Sequence, residues 1–553
     1  MRRVLTTLLI LVGCSDNEPV AQQPKPWFVN EAKERGFDFV WESGFDGFPY
    51  NPEITMGGLA VFDVDGDEDV DIYMVQGGSL SNPEQTEFAN QLFLNDGLGN
   101  FTNASTNSGA DDKNFGTGAT TGDYDNDGDV DVYVTNVGAN VLLRNDGGGK
   151  FSDVTDDAGV GETRWSASSA FFDIENDGDL DLFVANYIDW TVETELECKA
   201  KSGQLDYCHP QAYRSPAKDT LYRNNGDGTF TDVSETSGIR AVWGNGLGVV
   251  VGDVNDDGFL DIFVANDKMN NQLWMNQGDG TFIDDAIVSG VAVDANGEPK
   301  AGMGTDFADV NDDGTIDLLV VNLSSETDSM FMNRGGWFED GTPGSGLSTI
   351  TRQYTRFGTG FRDLNNDGVL DLYMSNGRVQ LPDTISSDDP YAEHNVLVQG
   401  LGDGRFQEVM PKGGTAQELL HTSRGIGYGD VNGDGAVDIV VLNRDAPAYL
   451  LMNQNPEGGG FVKLRLVNKH GAPEQNAVVR FTLGDKKVRR EVRTGGGYCS
   501  AHDPTLHIGL GTNETISGVE VTWSDGTRQA VGSVRAGNTE IIHQKSKGGI
   551  LSE

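Results

Sequence analysis

Short apolar runs recur along the chain, and seven of them follow a loop rich in Asp, Asn and Gly. The runs at Asp71–Val75 and Asp181–Ala185 hold mainly aliphatic and aromatic side chains. Segments this short, bounded by turn residues, predict β-strands rather than helices. A second turn follows, as in Gln91–Phe101, where Asn and Gly can supply the positive φ angles of a tight hairpin.

This strand pattern predicts an all-β chain. Each repeating unit of about 50–80 residues holds four predicted antiparallel strands, the size of one propeller blade. Seven units therefore predict a seven-bladed β-propeller. The pattern of the fourth strand occurs once more without a preceding loop, at Phe28–Ala32. We expect this N-terminal strand to complete the last blade and close the ring.

The seven loops share a nine-residue pattern, with side-chain oxygens at positions 1, 3 and 5 and Asp at position 9. Oxygen ligands on alternate residues of a tight loop suit Ca²⁺, at roughly 2.3–2.6 Å from each oxygen. Position 7 varies freely, as expected of a backbone carbonyl ligand. We predict up to seven structural calcium ions, held by these side chains: Asp63, Asp65, Asp67, Asp71; Asp123, Asp125, Asp127, Asp131; Asp173, Glu175, Asp177, Asp181; Asp253, Asn255, Asp257, Asp261; Asp309, Asn311, Asp313, Asp317; Asp363, Asn365, Asp367, Asp371; Asp430, Asn432, Asp434, Asp438.

An EF-hand would need a bidentate Glu at position 12. Position 12 is apolar in every loop and lies inside the following strand: Met74, Val134, Val184, Val264, Val320, Met374 and Val441. The sequence therefore excludes EF-hands.

Two loops depart from the pattern. Glu68 replaces the Gly found elsewhere at position 6, so we expect the backbone of the first loop to turn earlier, at Gly66. Glu175 at position 3 of the third loop has a longer side chain, and we expect it to coordinate differently or more weakly.

The chain is strongly acidic, with 86 Asp and Glu against 39 Lys and Arg and a formal charge of −47. A nucleic-acid partner is excluded, because phosphate binding requires a basic surface. The 26 Phe, 14 Tyr and 8 Trp argue against disorder, since they can build cores.

The first fourteen residues resemble a lipoprotein signal. Arg2 and Arg3 precede a short apolar segment that ends in Leu-Val-Gly before Cys14. This arrangement resembles a bacterial lipobox, with an ordinary secretory signal as the alternative, and implies lipidation of Cys14. Ser15 implies sorting to the outer membrane. Residues 15–26 are polar and contain Pro, so we interpret them as a tether.

The loop repeats resemble FG-GAP/VCBS repeats, and the whole chain resembles bacterial relatives of cartilage acidic protein. The tail carries the hallmark of their ASPIC/UnbV domain in Arg489–Tyr498, Asp503–Gly511 and Val519–Gly526. The domains expected are a signal peptide (1–14), a tether (15–26), the propeller (27–458), the ASPIC/UnbV domain (459–545) and a tail (546–553). We predict that this last domain is small and β-sandwich-like.

The tail also differs in charge. Residues 461–553 hold 13 Lys or Arg and 9 Asp or Glu, so the first 460 residues hold the other 26 and 77. We interpret Lys486–Arg490 as a solvated strand pair, while docking of this basic edge on the acidic propeller stays open.

Cys198 and Cys208 lie ten residues apart in the longest insertion between loops, and an oxidising compartment favours their pairing. We therefore predict a disulfide, with two free thiols as the alternative. Cys499 has no evident partner, and we expect it to be buried.

Catalytic motifs are weak, so no catalytic residue is assigned and the sequence favours a protein without enzymatic activity. The expected ligand face lies away from the acidic loops and is built from insertions 187–219 and 376–394.

Three functions stay open. The first is a calcium-stabilised binding or adhesion module of the cell envelope, with a glycan or protein ligand and only a lipid anchor in the membrane. The second is a polysaccharide-processing enzyme, which would have to use Tyr207, His209, Tyr213, Arg214 and Lys218. The third is a scaffold for another envelope protein.

Overall fold

The computed structural model describes residues 25–82, 88–385 and 387–545. Cys14, the predicted signal, most of the tether and the tail from 546 onward lie outside the described residues, so the predictions made for them stay predictions. Within the described part, seven sheets each contain a set of four antiparallel strands, and in six of these sets the strands follow one another in sequence order. The N-terminal strand β1 (Phe28–Asn30) belongs to the last of these sheets.

The strands of the seven sheets are as follows. Sheet 1 contains β2 (Leu59–Phe62), β3 (Asp71–Met74), β4 (Gln91–Asn95) and β5 (Phe101–Asn103), and sheet 2 contains β6 (Phe115–Gly122), β7 (Asp131–Val137), β8 (Val141–Asn145) and β9 (Phe151–Asp153). Sheet 3 contains β10 (Ser166–Phe172), β11 (Asp181–Asn186), β14 (Thr220–Asn224) and β15 (Phe230–Asp232), with β12 (Cys198–Lys199) and β13 (Leu205–Asp206) pairing inside its insertion. Sheet 4 contains β16 (Gly246–Gly252), β17 (Asp261–Asn266), β18 (Gln272–Asn276) and β19 (Phe282–Asp284). Sheet 5 contains β20 (Thr305–Ala308), β21 (Asp317–Val320), β22 (Ser329–Asn333) and β23 (Phe338–Asp340). Sheet 6 contains β24 (Arg356–Arg362), β25 (Asp371–Asn376), β27 (Val396–Gly400) and β28 (Phe406–Glu408), while β26 (Glu393–His394) pairs with β29 (Leu420–His421). Sheet 7 contains β30 (Ser423–Gly429), β31 (Asp438–Asn443), β32 (Tyr449–Asn453) and β1.

Helices are short and lie in connections. They are α1 (Pro52–Thr55), α2 (Ser105–Ser108), α3 (Thr155–Ala158), α4 (Pro210–Tyr213), α5 (Ala286–Ser289), α6 (Thr342–Ser345) and α7 (Leu347–Thr351), with 3₁₀ turns at Val192–Thr194, Ile239–Ala241 and Lys412–Gly414. None of the helices in the described part of the chain is long and apolar enough to cross a membrane.

The sheets follow one another in a closed cyclic order. The first strand of each sheet contacts the first strand of the next, and β30 of sheet 7 contacts β2 of sheet 1. Strand β1 pairs antiparallel with β32, with Phe28 opposite Asn453. The expectation that an N-terminal strand completes the last sheet is therefore confirmed. The result is a propeller-like all-β fold.

Loops and insertions leave the sheets at opposite ends. Every acidic loop joins the first strand of its sheet to the second, as in 63–71 between β2 and β3. The two long insertions instead join second and third strands, as in 187–219 between β11 and β14. Because neighbouring strands are antiparallel, these connections lie on opposite faces of the ring. We call these faces the loop face and the insertion face.

The C-terminal region forms two further sheets around one core. Strands β33 (Gly460–Val467), β38 (Leu506–Gly511) and β41 (Asn538–His543) form one sheet. Strands β34 (Val478–Leu483), β35 (Lys486–Glu491), β39 (Thr515–Thr522) and β40 (Arg528–Arg535) form the other. Val462, Leu464, Phe481 and Trp523 belong to the apolar core that both sheets bury.

Residues 494–503 leave this region and enter the centre of the ring. They include β36 (Gly495–Gly496) and β37 (Ser500–Ala501), and β37 extends sheet 1 by pairing with β2. The Tyr498 hydroxyl donates to the Thr55 carbonyl at 2.7 Å, and the amide of Ala119 donates to the Cys499 carbonyl at 3.1 Å. Cys499 is a buried free thiol, as expected. The sequence did not reveal that this segment fills the ring.

The basic strand β35 contacts the loop face. Arg489 Nη1 lies 3.4 Å from Asp256, and Lys486 and Arg490 lie 3.2 and 3.5 Å from Asp312. The side chains of Arg489 and Arg490 are only 4% and 12% exposed. Our interpretation of this segment as a solvated strand pair is therefore wrong for these two residues, because the acidic loops attract and cover them. Lys486 remains 55% exposed.

Candidate functional site

The acidic loops owe their shape to two residues with positive φ. Position 4 is left-handed in every loop: Gly66, Asn126, Asn176, Asp256, Asp312, Asn366 and Gly433. Position 6 is also left-handed, including Glu68 at φ 74°. The prediction that the first loop turns earlier is wrong, because Glu68 adopts the conformation that Gly adopts elsewhere. We missed position 4, although its restriction to Gly, Asn and Asp was a visible signal.

The position 1 carboxylate organises the turn around itself. In the second loop, Asp123 Oδ1 accepts a hydrogen bond from the amide of Asp127 at 3.1 Å, and Oδ2 accepts one from Gly128 at 3.2 Å. The third to sixth loops repeat both contacts. Positions 5 and 6 are thereby folded back over position 1, as a single central ion would require.

The position 9 carboxylate has a role that the sequence did not reveal. Asp131 Oδ2 accepts from the amide of Tyr124 at 3.1 Å, and its Oδ1 accepts from the amide of Asn145 at the end of β8 at 2.8 Å. All seven loops make the same pair of contacts. Position 9 therefore ties each loop to the third strand of its own sheet.

Several buried carboxylate oxygens in the loops lack a protein partner. Among the described residues these include Asp65 Oδ1, Asp125 Oδ1, Glu175 Oε2 and Asp430 Oδ1. A buried oxygen without a hydrogen bond is costly, and a cation would supply the missing partner. Burial, followed by the charges of Asp125 and Asp127, raises the pKa of Asp123 to about 7. The donors therefore fit a hard cation.

The seven loops are not equivalent. Carboxylate oxygens of positions 1, 3 and 9 come within 4.8 Å of one another in the first loop (Asp63, Asp65 and Asp71) and in the second (Asp123, Asp125 and Asp131). No third cluster of three such groups occurs among the described residues. In the last four loops an Asn at position 3 supplies an amide oxygen instead of a carboxylate, and its Nδ2 donates to position 5, as in Asn255 to Asp257 at 2.8 Å.

The two insertions pack together on the insertion face. Cys198 and Cys208 form the predicted disulfide. The ring of Tyr207 contacts that of Tyr391 at 5.6 Å, and Asp206 Oδ1 accepts from the Tyr391 hydroxyl at 3.0 Å. The segment 187–219 and the described part of 376–394 therefore form one structure rather than two independent loops.

The candidate catalytic residues of the first insertion contact different partners. Tyr207 is 2% exposed, and its hydroxyl contacts Glu53 at 3.1 Å and Arg444 at 2.8 Å. Tyr213 instead donates to Glu195, and Lys218 lies over the ring of Trp243. His209 and Arg214 are exposed. The side chains of Tyr207, Tyr213 and Lys218 are thus engaged with three different sets of partners.

Two family models match the chain. The FG-GAP-like repeat matches residues 63–134, 123–184, 211–264, 253–320 and 309–374, which together span more than half of the chain. The ASPIC and UnbV model matches residues 468–548.

Curated relatives match part of the chain. Cartilage acidic protein 1 of Homo sapiens is 29% identical over 303 residues, which is 53% of this chain and 43% of that protein. The Mus musculus protein is also 29% identical, over 53% of this chain and 44% of its own length. The chain thus spans less than half the length of these relatives.

Solved structures resemble the chain only distantly. A lectin from Agrocybe aegerita, described as recognising non-reducing terminal N-acetylglucosamine, has a TM-score of 0.38 and 16% identity over 71% of this chain and 86% of its own. An exotype rhamnogalacturonan lyase has a TM-score of 0.38 and 13% identity over 72% of each chain. Similarity at this level supports no functional argument.

The two family models are the matches that identify the chain. It belongs to the FG-GAP-like repeat family and carries a C-terminal ASPIC and UnbV domain.

Proposed function

We propose that the chain is an exported, calcium-stabilised, seven-bladed propeller that acts as a binding or adhesion module at the bacterial cell envelope. The observation that carries this proposal is the division of the ring into two faces. Acidic loops and the C-terminal strands occupy one face, while two insertions joined by Tyr207 and Tyr391 build the other. The insertion face is therefore left for an extracellular or periplasmic ligand.

Calcium has a structural role in this proposal. Up to seven ions would be held by the side chains at positions 1, 3, 5 and 9, with the carbonyl at position 7. A bound ion would neutralise part of the negative charge of the carboxylates in its loop. It would also fix the conformation of a loop that is hydrogen-bonded to the third strand of its sheet. The ions are not assigned to chemistry, because C-terminal residues such as Arg489 and Arg490 already contact acidic loops on the loop face.

The location and the domain boundaries are also part of the proposal. Residues 1–14 direct export, lipid on Cys14 anchors the chain in the outer membrane, and residues 15–26 tether it. The propeller spans 27–458, and the ASPIC/UnbV domain spans 459–545 before a short tail. The ligand is a glycan or a protein and not a nucleic acid.

The different partners of Tyr207, Tyr213 and Lys218 support binding over catalysis. A polysaccharide lyase or hydrolase requires converging acid and base groups in reach of a substrate. Tyr207 is instead buried between Glu53 and Arg444. A scaffold for another envelope protein would use the same insertion face. It differs from the binding module only in its ligand, which would be that protein.

Protein that lacks residues 1–14 tests the proposal. It is treated with EDTA, dialysed and titrated with Ca²⁺ by calorimetry, and its melting temperature is measured in both states. We expect several bound ions and a large fall in the melting temperature with EDTA. The calcium-loaded protein is then passed over immobilised neutral and acidic polysaccharides, and new chain ends are measured. Retention without new ends supports a binding module. A melting temperature that EDTA leaves unchanged would contradict the structural role of calcium. New polysaccharide chain ends would show that the protein is an enzyme and would contradict the binding proposal.

A further inference from the structure

A cleft opens on the insertion face between sheets 1, 2 and 3. Its volume is about 340 Å³, within the range of small-molecule sites. Its walls come from Gly77 and Gly78 after β3, Phe115 at the start of β6, Val137 at the end of β7 and Trp190 after β11. All of these positions lie at the strand ends opposite the acidic loops, so the cleft is separate from the candidate metal sites.

Aromatic rings form a continuous track that leads into this cleft. The rings of Phe48 and Tyr50 contact at 5.2 Å, Tyr50 and Trp190 at 6.4 Å, and Trp190 and Trp165 at 5.5 Å. Phe48 and Tyr50 are only half-buried, whereas Trp190 is 6% exposed and Trp165, which supports it from the core, is 1% exposed. Half-exposed aromatic rings beside a concave wall are typical of ligand grooves rather than of a closed core.

The insertion holds Trp190 in a fixed orientation. Trp190 Nε1 donates to Glu195 Oε2 at 3.0 Å, and the same oxygen accepts from the amide of Asn51 at 2.9 Å. The hydroxyl of Tyr213 donates to the other oxygen of Glu195. The aromatic wall is therefore rigid before any ligand arrives, which reduces the entropy lost on binding.

The rim of the cleft is polar and balanced in charge. The rim contains three exposed neutral residues, Asn114, Thr163 and Thr191. It also contains one positive and one negative side chain, Lys113 and Glu193. Gly138 is half-buried and leaves open space at the rim, because a Cβ built there meets nothing within 4 Å. Neutral donors and acceptors around an aromatic floor match a ligand that has hydroxyl groups and an apolar ring face. That combination is characteristic of a sugar.

Charge decides between neutral and acidic sugars. The chain carries a formal charge of −47, so an acidic polysaccharide would be repelled at long range. Lys113 alone does not reverse this, since Glu193 lines the same cleft and Asp111 lies 3.9 Å from Lys113. We infer that the cleft lined by Phe115, Val137 and Trp190 binds a neutral saccharide chain that continues along Tyr50 and Phe48. This inference rests on the proposed binding function and names the ligand class of that face.

The test uses calcium-loaded protein that lacks residues 1–14. Its probes are hexasaccharides of glucose, mannose, xylose and N-acetylglucosamine, with an oligogalacturonate as the acidic contrast. Binding is measured by calorimetry and, for the wild type, also by tryptophan fluorescence, because Trp190 lines the cleft. Thr163→Trp fills the cleft from its rim. Thr236→Trp, at an exposed position away from the cleft, is the matched control. Melting temperatures of both variants show that they fold.

We expect at least one neutral probe to bind, with affinity reduced about tenfold or more in Thr163→Trp and about unchanged in Thr236→Trp. Neutral binding that Thr163→Trp leaves intact would place the site elsewhere, which overturns this inference while the binding function stands. Binding of the oligogalacturonate alone would also overturn it. If no hexasaccharide binds but an immobilised polysaccharide is retained, the cleft assignment is wrong. If neither occurs, the proposed glycan-binding function fails with it.

Discussion

Arg465 Nη2 lies 2.6 Å from Asp63 Oδ2, so a cation of the C-terminal region contacts position 1 of the first acidic loop. Two residues earlier on the same strand, Lys463 Nζ lies 2.8 Å from Asp430 Oδ2, at position 1 of the last loop. These loops belong to sheets 1 and 7, which meet where the N-terminal strand closes the ring. Strand β33 therefore bridges the closure of the ring with two ion pairs.

We expect Arg465→Ala to destabilise the calcium-free protein, because Asp63 is only 13% exposed and would lose its charged partner. A loss of about 1–2 kcal/mol is expected, as for a partly buried charged hydrogen bond. Hydrogen exchange should increase most in β1 and β32. Arg480→Ala is the control, since Arg480 and Asp256 are 40% and 66% exposed and their contact of 3.4 Å is weak. Equal effects of the two variants would show that β33 does not bridge the ring closure.

The alternation of residues in β33 explains part of what the sequence could have revealed. Val462, Leu464 and Leu466 enter the C-terminal core, which leaves Lys463 and Arg465 on the opposite face of the strand. The sequence therefore indicated that these two cations share one face. It could not indicate that this face meets Asp63, because that contact joins positions 402 residues apart. Lys463 and Asp430 are only 33 residues apart, but their contact depends on how the C-terminal sheets pack on the loop face.

Local patterns predicted the strands, the turn residues and the pairing of Phe28–Asn30 with the last sheet. They failed for residues 494–503, whose Gly-rich sequence carries no periodicity and whose partners are spread over several sheets. Position 9 of the loops shows a further limit. Its Asp was predicted as a metal ligand from spacing alone, whereas its hydrogen bond to a third-strand amide depends on the fold.

The two roles of loop carboxylates can be separated in the second loop. We expect Asp131→Asn to destabilise the protein by about 1–3 kcal/mol with or without calcium, because an amide group would face the amide of Tyr124 or Asn145. Asp127→Asn should instead weaken calcium binding and leave the melt in EDTA nearly unchanged. Chemical unfolding in both conditions measures this. If the two variants behave alike in EDTA, position 9 has no role beyond metal binding.

Glu68 is a non-glycine residue with φ 74°, at a position where the other loops have Gly. We expect Glu68→Gly to raise the free energy of unfolding by about 1 kcal/mol, because the left-handed conformation strains a residue with a Cβ. Glu68→Ala is the control, since it removes the carboxylate and keeps the Cβ. A gain from Glu68→Ala as large as that from Glu68→Gly would attribute the effect to charge rather than to backbone strain.

Glu53 lies under the insertions, and burial raises the pKa of its carboxyl to about 8, although Arg444 and a hydrogen bond from Tyr207 act in the opposite direction. The negative charge of Asp46 raises the pKa of Glu53 slightly further. The folded state therefore binds this proton more tightly than the unfolded state, whose Glu has a pKa near 4.5. Stability from this group is present at low pH and is lost as pH rises from 4.5 towards 8, at no more than about 1.4 kcal/mol per pH unit.

We expect Glu53→Gln to flatten this pH dependence, measured as the free energy of unfolding between pH 5 and pH 8 with calcium kept saturating. The side chain of Gln has a similar shape and carries no charge, so the variant should match the wild type at pH 5 and exceed it at pH 8. Glu34→Gln, at an exposed position, should change neither the slope nor the midpoint. If Glu53→Gln is instead less stable than the wild type at pH 8, Glu53 is ionised in the folded protein and its pairing with Arg444 outweighs the cost of burial.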